Sequence, residues 1–243
     1  MFSDDCRISV FSGEKSAQIS LIPEKTNDSQ KLIAEDRRYF VRMITEREKA
    51  LANVLFHQGD PTLAAERGRA QELCFAYNQT SPSDIKRKNE ILQELLPNRK
   101  GQCTINAPFY CDYGTHIYIG ERFFANYNCK VLDGADVIFG DDVRIGPDCT
   151  FLTPNHALDP DMRREGYEIF LPIHVGNNVW FGAGVIVLPG VAIGDHSVIA
   201  AGSVVTHDIL EGVLAAGNPC RVLRRLNERD RIKYPRWEDA HGE

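Results

Sequence analysis

Apolar side chains recur at every sixth position through the C-terminal half of this chain, and that repeat limits its fold more than any other feature. The positions are Val175, Phe181, Val187, Ile193, Ile199 and Val205. A period of six fits neither an amphipathic helix, with a period of about 3.6, nor an isolated strand, with a period of about two. It is typical of a parallel β-helix, in which each hexad forms a short strand and a corner and equivalent side chains stack. The sequence therefore predicts a mainly-β fold.

The repeat starts near residue 101 and is interrupted twice. Ile119, Ala125, Val131 and Val137 keep the six-residue step, the phase then shifts by two, and Phe139, Ile145 and Phe151 resume it. Between Thr153 and Pro172 the repeat is absent. A segment that leaves a regular solenoid is usually functional or disordered. We therefore assign residues 99–243 to the β-helix and its tail, and we expect reactive groups in the loop 153–172.

Residues 39–98 have a helical pattern and are predicted to form a small cap of three helices. The first helix is expected to run from Val41 to near Gly59. Asp60-Pro61 and Asp84 are predicted to begin the next two, because an aspartate cap and a proline in the first turn favour a helix start. The expected buried faces are Leu63, Ala70, Leu73, Cys74 and Tyr77 in the second helix, and Ile85, Leu92, Leu95 and Leu96 in the third.

The two ends of the chain carry weaker patterns. In the N-terminal extension, residues 1–38, Ile8 and Val10 and then Ile19 and Leu21 alternate as strand residues do, and the polar composition equally fits a disordered segment. At the other end, residues 221–233 (RVLRRLNERDRIK) are predicted to form a short basic helix.

Composition argues against several classes of partner. The 243 residues are 43% hydrophobic and carry a net charge of −6 without a lysine-rich tract, so we expect neither nucleic acid nor an anionic membrane as partner. No apolar run approaches the roughly 18 residues of a membrane span. Residues 1–10 also lack the pattern of a secretory signal. We expect a soluble, cytoplasmic protein.

The chain contains seven cysteines and no CxxC pair. Cys111, Cys129 and Cys149 are separated by 18 and 20 residues, close to one coil of three hexads, and are predicted to stack on successive coils. A column of thiols could bind a metal ion, but Val185 and Ser203 occupy the same phase. That phase favours a buried corner of small side chains, and we predict no metal site.

A solenoid of this kind would expose flat apolar faces and unpaired backbone at its ends. Stacked hexads form triangular prisms, and the flat sides of such prisms can pack together. We therefore expect a closed cyclic oligomer, most simply a homotrimer.

Several short motifs resemble, in the same order, segments of the maltose and galactoside O-acetyltransferases. They are MITEREKALANVLF (43–56), IGERFFANYN (119–128), TPNHALD (153–159), VGNNVWFG (175–182), PGVAIGD (189–195) and GNPCR (217–221). The resemblance spans residues 41–228 and leaves residues 1–38 without a counterpart. It implies a left-handed parallel β-helix with an N-terminal helical cap and a short C-terminal helix. It also implies acetyl transfer from acetyl-CoA to a hydroxyl of a sugar or small glycoside, such as maltose, glucose or a galactoside.

Two residues are expected to carry the chemistry. His156 lies in the one long break of the solenoid and matches the catalytic histidine of that family. A neutral imidazole can take the proton of a sugar hydroxyl near neutral pH, and an activated thioester needs no covalent enzyme intermediate. Asn126 matches an asparagine that helps to position the acceptor hydroxyl.

The resemblance also supplies candidate acceptor contacts. Arg67, Asp112, Phe124, Asp133 and Glu168 fall at or near the family's sugar-contacting positions. Galactoside enzymes place an aspartate where this chain has Gln58, and Asp60 follows two residues later. Asp60 is therefore expected either to contact the acceptor or to act only as a helix cap.

The candidate donor contacts lie further along the solenoid. Trp180 and Ala183 open a coil against which the pantetheine arm of coenzyme A would lie, and Ala201, Thr206 and His207 match later donor contacts of the family. Arg221 and Arg224 could reach the phosphates of coenzyme A. Ala183 stands where galactoside enzymes have a serine, and His207 stands where they have a lysine. A backbone N–H near Ala183 could still stabilise an oxyanion, and the two arginines are suited to phosphates.

Three alternatives remain open from the sequence. One is an acetyltransferase that acts on an amino or other non-sugar acceptor. Another is a zinc-dependent lyase like the γ-type carbonic anhydrases, which needs three histidine ligands at neighbouring corners; this chain has no HxxxxH pair. The third is a non-enzymatic scaffold, for which a histidine loop and donor-side arginines would have no use.

Overall fold

The computed structural model describes residues 44–231. Val41 and the strands predicted within residues 1–38 lie outside the described residues. The helices are α1 (Glu46–Leu51), α2 (Pro61–Gln79), α3 (Ile85–Leu95), α4 (Pro160–Glu165) and α5 (Glu228–Arg231). The strands are β1 (Phe56–His57), β2 (Cys103–Ile105), β3 (Phe109–Cys111), β4 (Ile117–Ile119), β5 (Phe123–Ala125), β6 (Cys129–Leu132), β7 (Val137–Phe139), β8 (Arg144–Ile145), β9 (Thr150–Leu152), β10 (Pro154–His156), β11 (Tyr167–Phe170), β12 (Ile173–Val175), β13 (Trp180–Phe181), β14 (Ile186–Val187), β15 (Ala192–Ile193), β16 (Val198–Ile199), β17 (Val204–Val205), β18 (Val213–Ala216) and β19 (Arg221–Arg225).

Successive strands are distributed in turn over three parallel sheets, which form the faces of a prism. The four-stranded sheet has the order β15-β12-β7-β4, the five-stranded sheet β17-β14-β9-β6-β3, and the seven-stranded sheet β19-β18-β16-β13-β8-β5-β2. Each coil therefore adds one strand to every face. The predicted fold class, mainly β with a parallel β-helix and an N-terminal helical cap, is confirmed.

The six-residue repeat builds the interior of the prism. In the seven-stranded sheet the in-register column is Ala125, Ile145, Phe181, Ile199 and Ala215, and every member is buried. Aromatic contacts join the three faces, because Phe151 lies 5.0 Å from Phe139 and 5.2 Å from Phe181 between ring centroids. The apolar hexad positions thus stack as a continuous core.

The corners of the prism require unusual backbone conformations. Asn128, Asp148, Gly184 and Gly202 have φ values of 61°, 62°, 69° and 71° at equivalent corners. These residue types adopt the left-handed region at the lowest cost. At Gly182 a Cβ would lie 2.5 Å from the backbone nitrogen of Ala201 on the next coil, so the close stacking of coils there requires glycine.

The predicted helical cap is present, with two corrections. Asp60 begins α2, and Ala70, Cys74 and Tyr77 are buried, as predicted. The first helix, however, ends at Leu51 rather than near Gly59, because the chain next extends as β1 and pairs with β11. Ile85 was expected in the core but is 62% exposed, since it is the first residue of α3 and lies at its outer end.

The predicted cysteine column is only partly correct. The backbone pairing aligns Cys129 with Cys149, Val185 and Ser203. Cys111 instead pairs with Val131, two residues out of phase. Its Sγ contacts the Sγ of Cys74 in α2 at 3.7 Å, so this thiol joins the first coil to the helical cap.

The predicted basic helix at residues 221–233 is wrong over its first part. Arg221–Arg225 form β19, which pairs antiparallel with β18 and covers the edge of the seven-stranded sheet. Among the described residues of this segment, helix follows at Glu228–Arg231, and residues 232–233 lie outside them.

Candidate active site

The break in the solenoid is a structured hairpin. Strands β10 and β11 pair antiparallel, and β1 from the helical cap adds to the outer side of β11. Between the two hairpin strands, Asp159 caps α4 and Gly166 ends it with a φ of 91°. The loop 153–172 is therefore anchored on both sides, to the prism through its ends and to the cap through β1.

The hairpin register brings His156 and Glu168 directly opposite each other. Their Nδ1 and Oε1 atoms lie 3.2 Å apart, with the histidine side chain 57% exposed and the glutamate side chain 11% exposed. Burial raises the pKa of Glu168, and His156 and Arg67 oppose that shift. The Nδ1 atom of His156 lies next to the carboxylate, which favours the tautomer protonated at Nδ1 and leaves Nε2 unprotonated.

A cavity of about 230 Å³ lies beside this pair. Its lining consists of Gln58, Arg67, Asp112, Tyr113, Leu132, Pro154, His156, Glu168 and Phe170. Arg67 is held by two donated hydrogen bonds, from Nη1 to Tyr113 Oη at 2.8 Å and from Nη2 to the Gln58 carbonyl at 3.2 Å. Polar groups and one apolar wall thus surround a space of the size of a monosaccharide.

Asp112 contributes a second carboxylate to the cavity. Burial raises the pKa of Asp112 to about 6, Arg67 opposes the shift, and Glu168 adds to it. Among the described residues, the Asp112 carboxylate accepts no hydrogen bond, whereas its own backbone N–H donates to Asp133. The carboxylate is therefore free to accept hydrogen bonds from a ligand.

Three predicted acceptor contacts do not line this cavity: Asp60, Asp133 and Phe124. Asp60 accepts hydrogen bonds from the N–H groups of Thr62 and Leu63 as the cap of α2, while Gln58 lines the cavity. Asp133 is fully buried. Its oxygens accept from the backbone N–H groups of Asp112, Tyr113 and His116, which fixes the corner where the repeat changes phase. The expectation that Asp133 contacts a sugar directly is wrong, because no part of its side chain is exposed.

Five other predicted residues lie on the seven-stranded sheet or at its adjoining corner, a surface here called the donor ridge. They are Trp180, Ala183 and Ala201, predicted to contact the donor, Phe124, predicted to contact the acceptor, and Asn126, predicted to be catalytic. Phe124 and Trp180 lie on the seven-stranded sheet, each in register with Arg144. Asn126 follows β5 at the adjoining corner, where its Oδ1 accepts from Tyr127 N at 2.9 Å. Trp180 is 56% exposed. The N–H groups of Ala183 and Ala201 donate to no acceptor within residues 44–231.

The last four donor candidates lie near the C-terminal end of the solenoid. Thr206 and His207 follow β17 and contact each other, with Oγ1 and Nδ1 2.8 Å apart. Arg221 is exposed on β19. Arg224, on the same strand, makes two 2.7 Å contacts with the carboxylate of Asp230, so a phosphate would compete with that pair.

The structure thus divides the predicted site into two groups. Arg67, Asp112, His156 and Glu168 share one cavity, whereas the donor ridge lies at a different corner. Sequence reasoning missed Tyr113, Leu132, Pro154 and Phe170 in the cavity wall. Phe170 lies two residues after Glu168 on the same face of β11, so strand alternation could have identified it. Tyr113 follows Asp112 beyond the end of β3, where no such periodicity applies.

Within residues 44–231, no group of three or more histidine, cysteine or acidic side chains is arranged to hold a metal ion. In that same part of the chain, no helix has the length and apolar character needed to span a bilayer.

Comparison with known proteins agrees with this architecture. Residues 49–99 match the maltose acetyltransferase hexapeptide capping motif, and residues 172–207 match six bacterial transferase hexapeptide repeats. Galactoside O-acetyltransferase of Escherichia coli (strain K12) is 38% identical over 187 residues, 77% of this chain and 92% of the relative. The crystal structure of a maltose O-acetyltransferase from Clostridium difficile 630 has a TM-score of 0.74 and 40% identity, covering 76% of this chain and 98% of that one. A hexapeptide-repeat acetyltransferase of Vibrio cholerae, solved with acetyl-coenzyme A, has a TM-score of 0.69 and 36% identity, covering 76% and 100%.

A three-sided solenoid of hexapeptide repeats with a histidine hairpin defines a hexapeptide-repeat acetyltransferase. Within that class, the chain belongs to the maltose and galactoside O-acetyltransferase family. The predicted family and enzyme class are both confirmed.

Proposed function

We propose that this enzyme transfers the acetyl group of acetyl-CoA to a hydroxyl of a sugar or small glycoside, with His156 as general base. The observation that carries the proposal is the His156–Glu168 pair, 3.2 Å apart at the edge of a polar cavity. Hydroxyl groups of a sugar can pair with Asp112 and Gln58, and Phe170 offers an apolar face to the ring. Maltose and galactosides are the acceptors in the names of the relatives, and glucose is the sugar unit of maltose.

In the proposed reaction, the Nε2 atom of His156 takes the proton of the acceptor hydroxyl as its oxygen attacks the thioester carbonyl carbon. Glu168 holds Nδ1–H, orients the ring and stabilises the positive charge that develops on it. When the carbon–sulfur bond breaks, the same proton can pass to the departing sulfur. The products are an acetyl ester and free coenzyme A, and no covalent enzyme intermediate is required.

The donor ridge has the chemistry that an extended pantetheine arm needs. The unused N–H groups of Ala183 and Ala201 can donate to its amide carbonyls or to the developing oxyanion. The exposed Trp180 ring offers an apolar surface. Thr206, His207, Arg221 and Arg224 lie further toward the C-terminus, where the arginines can reach the nucleotide phosphates.

A homotrimer would unite the two halves of the site. Within one chain, Asn126 lies at the corner between the seven-stranded and five-stranded sheets, whereas the His156 hairpin leaves the corner between the five-stranded and four-stranded sheets. Three prisms around a common axis can place the donor ridge of one chain against the hairpin of its neighbour. We propose that each active site forms between two subunits in this way.

The test is the His156→Ala variant. Turnover, measured as release of the coenzyme A thiol with maltose, glucose or a galactoside as acceptor, should fall at least about 100-fold, the usual contribution of a general base. Calorimetric titration should show that coenzyme A still binds. His174→Gln, a change at an exposed histidine on the four-stranded sheet, is the matched control. Full turnover in His156→Ala would refute the assigned role.

A further inference from the structure

The acceptor cavity contains two carboxylates, and only one of them has a partner. Glu168 pairs with His156. Asp112 lines the same cavity, and among the described residues its carboxylate has neither a hydrogen bond nor an ion pair within 4.0 Å. A largely buried carboxylate without a partner is costly. A ligand that supplies a donor at this position removes that cost.

Arg67 does not neutralise Asp112 directly. Its Nη1 and Nη2 atoms donate to Tyr113 Oη and to the Gln58 carbonyl, and its guanidinium lies 5.9 Å from the centroid of the Tyr113 ring. Both acceptors are neutral, so the cation is oriented by the cavity wall rather than by a carboxylate. The cavity therefore carries one guanidinium against two carboxylates.

The groups that face Asp112 come from every element around it. They are Arg67 and Cys74 of α2, Cys111 of β3, the adjacent Tyr113, Glu168 of β11, His156 of β10 and the buried Asp133 behind the corner. Burial raises the pKa of Asp112 to about 6. At pH 7 the side chain is therefore mostly ionised.

We infer that Asp112 selects the acceptor by charge, so that the cavity prefers cationic amino sugars to neutral sugars and excludes anionic sugars such as uronates and sugar phosphates. This inference rests on the proposed function of the same cavity. The ammonium group pairs with Asp112, while a hydroxyl elsewhere on the ring faces His156 and is acetylated. A carboxylate or phosphate placed beside Asp112 and Glu168 is repelled by both.

Three methyl glycosides test the inference, because they share one ring and differ in charge. They are methyl glucosaminide, methyl glucoside and methyl glucuronide. At pH 7 the wild-type kcat/KM from thiol release should decrease in that order, with about 10-fold or more between the cationic and neutral compounds, the usual gain from a charged hydrogen bond. Saturation-transfer NMR of the bound sugars gives the same ranking without turnover.

Asp112→Asn keeps the shape of the side chain and removes its charge. The cationic and neutral compounds should then differ by less than about 3-fold, and the anionic compound should gain. Glu72→Gln is the matched control, since Glu72 is an exposed carboxylate on the same helix as Arg67. This variant should retain the wild-type ranking.

The outcomes separate the two proposals. Equal kcat/KM and equal binding of the cationic and neutral compounds in the wild type would overturn the inference, as would a ranking that Asp112→Asn leaves unchanged. NMR of the product must show an O-acetyl group, because N-acetylation would place the amine at His156 and overturn it as well. If no glycoside releases thiol, the proposed function fails, and the NMR ranking still decides the charge preference.

Discussion

Replacing Glu168 by glutamine should separate two roles for this side chain. Glutamine has nearly the same shape, and its carbonyl oxygen can still accept from His156 Nδ1–H. The ring therefore keeps its orientation, while the negative charge that stabilises the imidazolium is lost. If Glu168 positions His156, kcat should fall while the KM for the acceptor stays within about twofold. If Glu168 instead contacts the sugar, as the sequence suggested, KM should rise.

The expected fall in kcat can be estimated from the distance between His156 and Glu168. Two unit charges 3.2 Å apart interact by about 1.3 kcal/mol in water and by about 5 kcal/mol at an effective dielectric constant of 20. The His156 side chain is 57% exposed, so solvent screening favours the lower end, about 1–2 kcal/mol. A loss of that size corresponds to a fall in kcat of roughly 5- to 30-fold.

The assay is steady-state thiol release at pH 7.5 with the acceptor and acetyl-CoA varied separately. Calorimetry should show unchanged affinity for coenzyme A, because Glu168 lies in the acceptor cavity. Glu168→Ala removes the anchor of the ring as well as the charge, and should be slower than Glu168→Gln. Wild-type kcat in Glu168→Gln would refute the positioning role.

Two further variants test the fold rather than the chemistry. Asp60→Ala removes the cap of α2 and should lower the free energy of unfolding by about 0.5–2 kcal/mol; urea denaturation measures this, and a raised acceptor KM would show that Asp60 also contacts the sugar. Phe151→Ala removes a buried ring that contacts Phe139 and Phe181 and should cost about 3–5 kcal/mol. A loss below about 1 kcal/mol would mean that the three faces do not share one core.

Much of the fold could be predicted because each hexad repeats the same local pattern. The inward orientation of Val187 or Ile199 can be predicted from the few residues around it. The tertiary structure then only stacks one hexad on the next. The errors arose where a strand depends on backbone pairing outside the hexad pattern. β1 is a strand because β11 pairs with it, and β19 is a strand because β18 leaves an edge. Neither partner is visible in a local pattern.

The residues of the candidate site could likewise be predicted only where the signal lies in the local sequence. His156 could be found because it lies in the break of the repeat. The role proposed for Glu168 depends on its register opposite His156 in the hairpin. Helix α4 separates the two strands along the chain, so the sequence alone does not predict that register. Asp133 was expected to contact the acceptor, yet it is buried at the corner where the repeat changes phase and accepts hydrogen bonds from three backbone N–H groups.

The short strand β1 connects the helical cap to the hairpin through backbone pairing with β11. Phe56 lies opposite Glu168 in the register, and Gln58, two residues later, lines the acceptor cavity. The Gln58 N–H also donates to the carbonyl of Gly166 at the end of α4. Changes at residues 54–60 that are meant to alter the proposed acceptor specificity should therefore also displace the His156–Glu168 pair, so that turnover and selectivity change together.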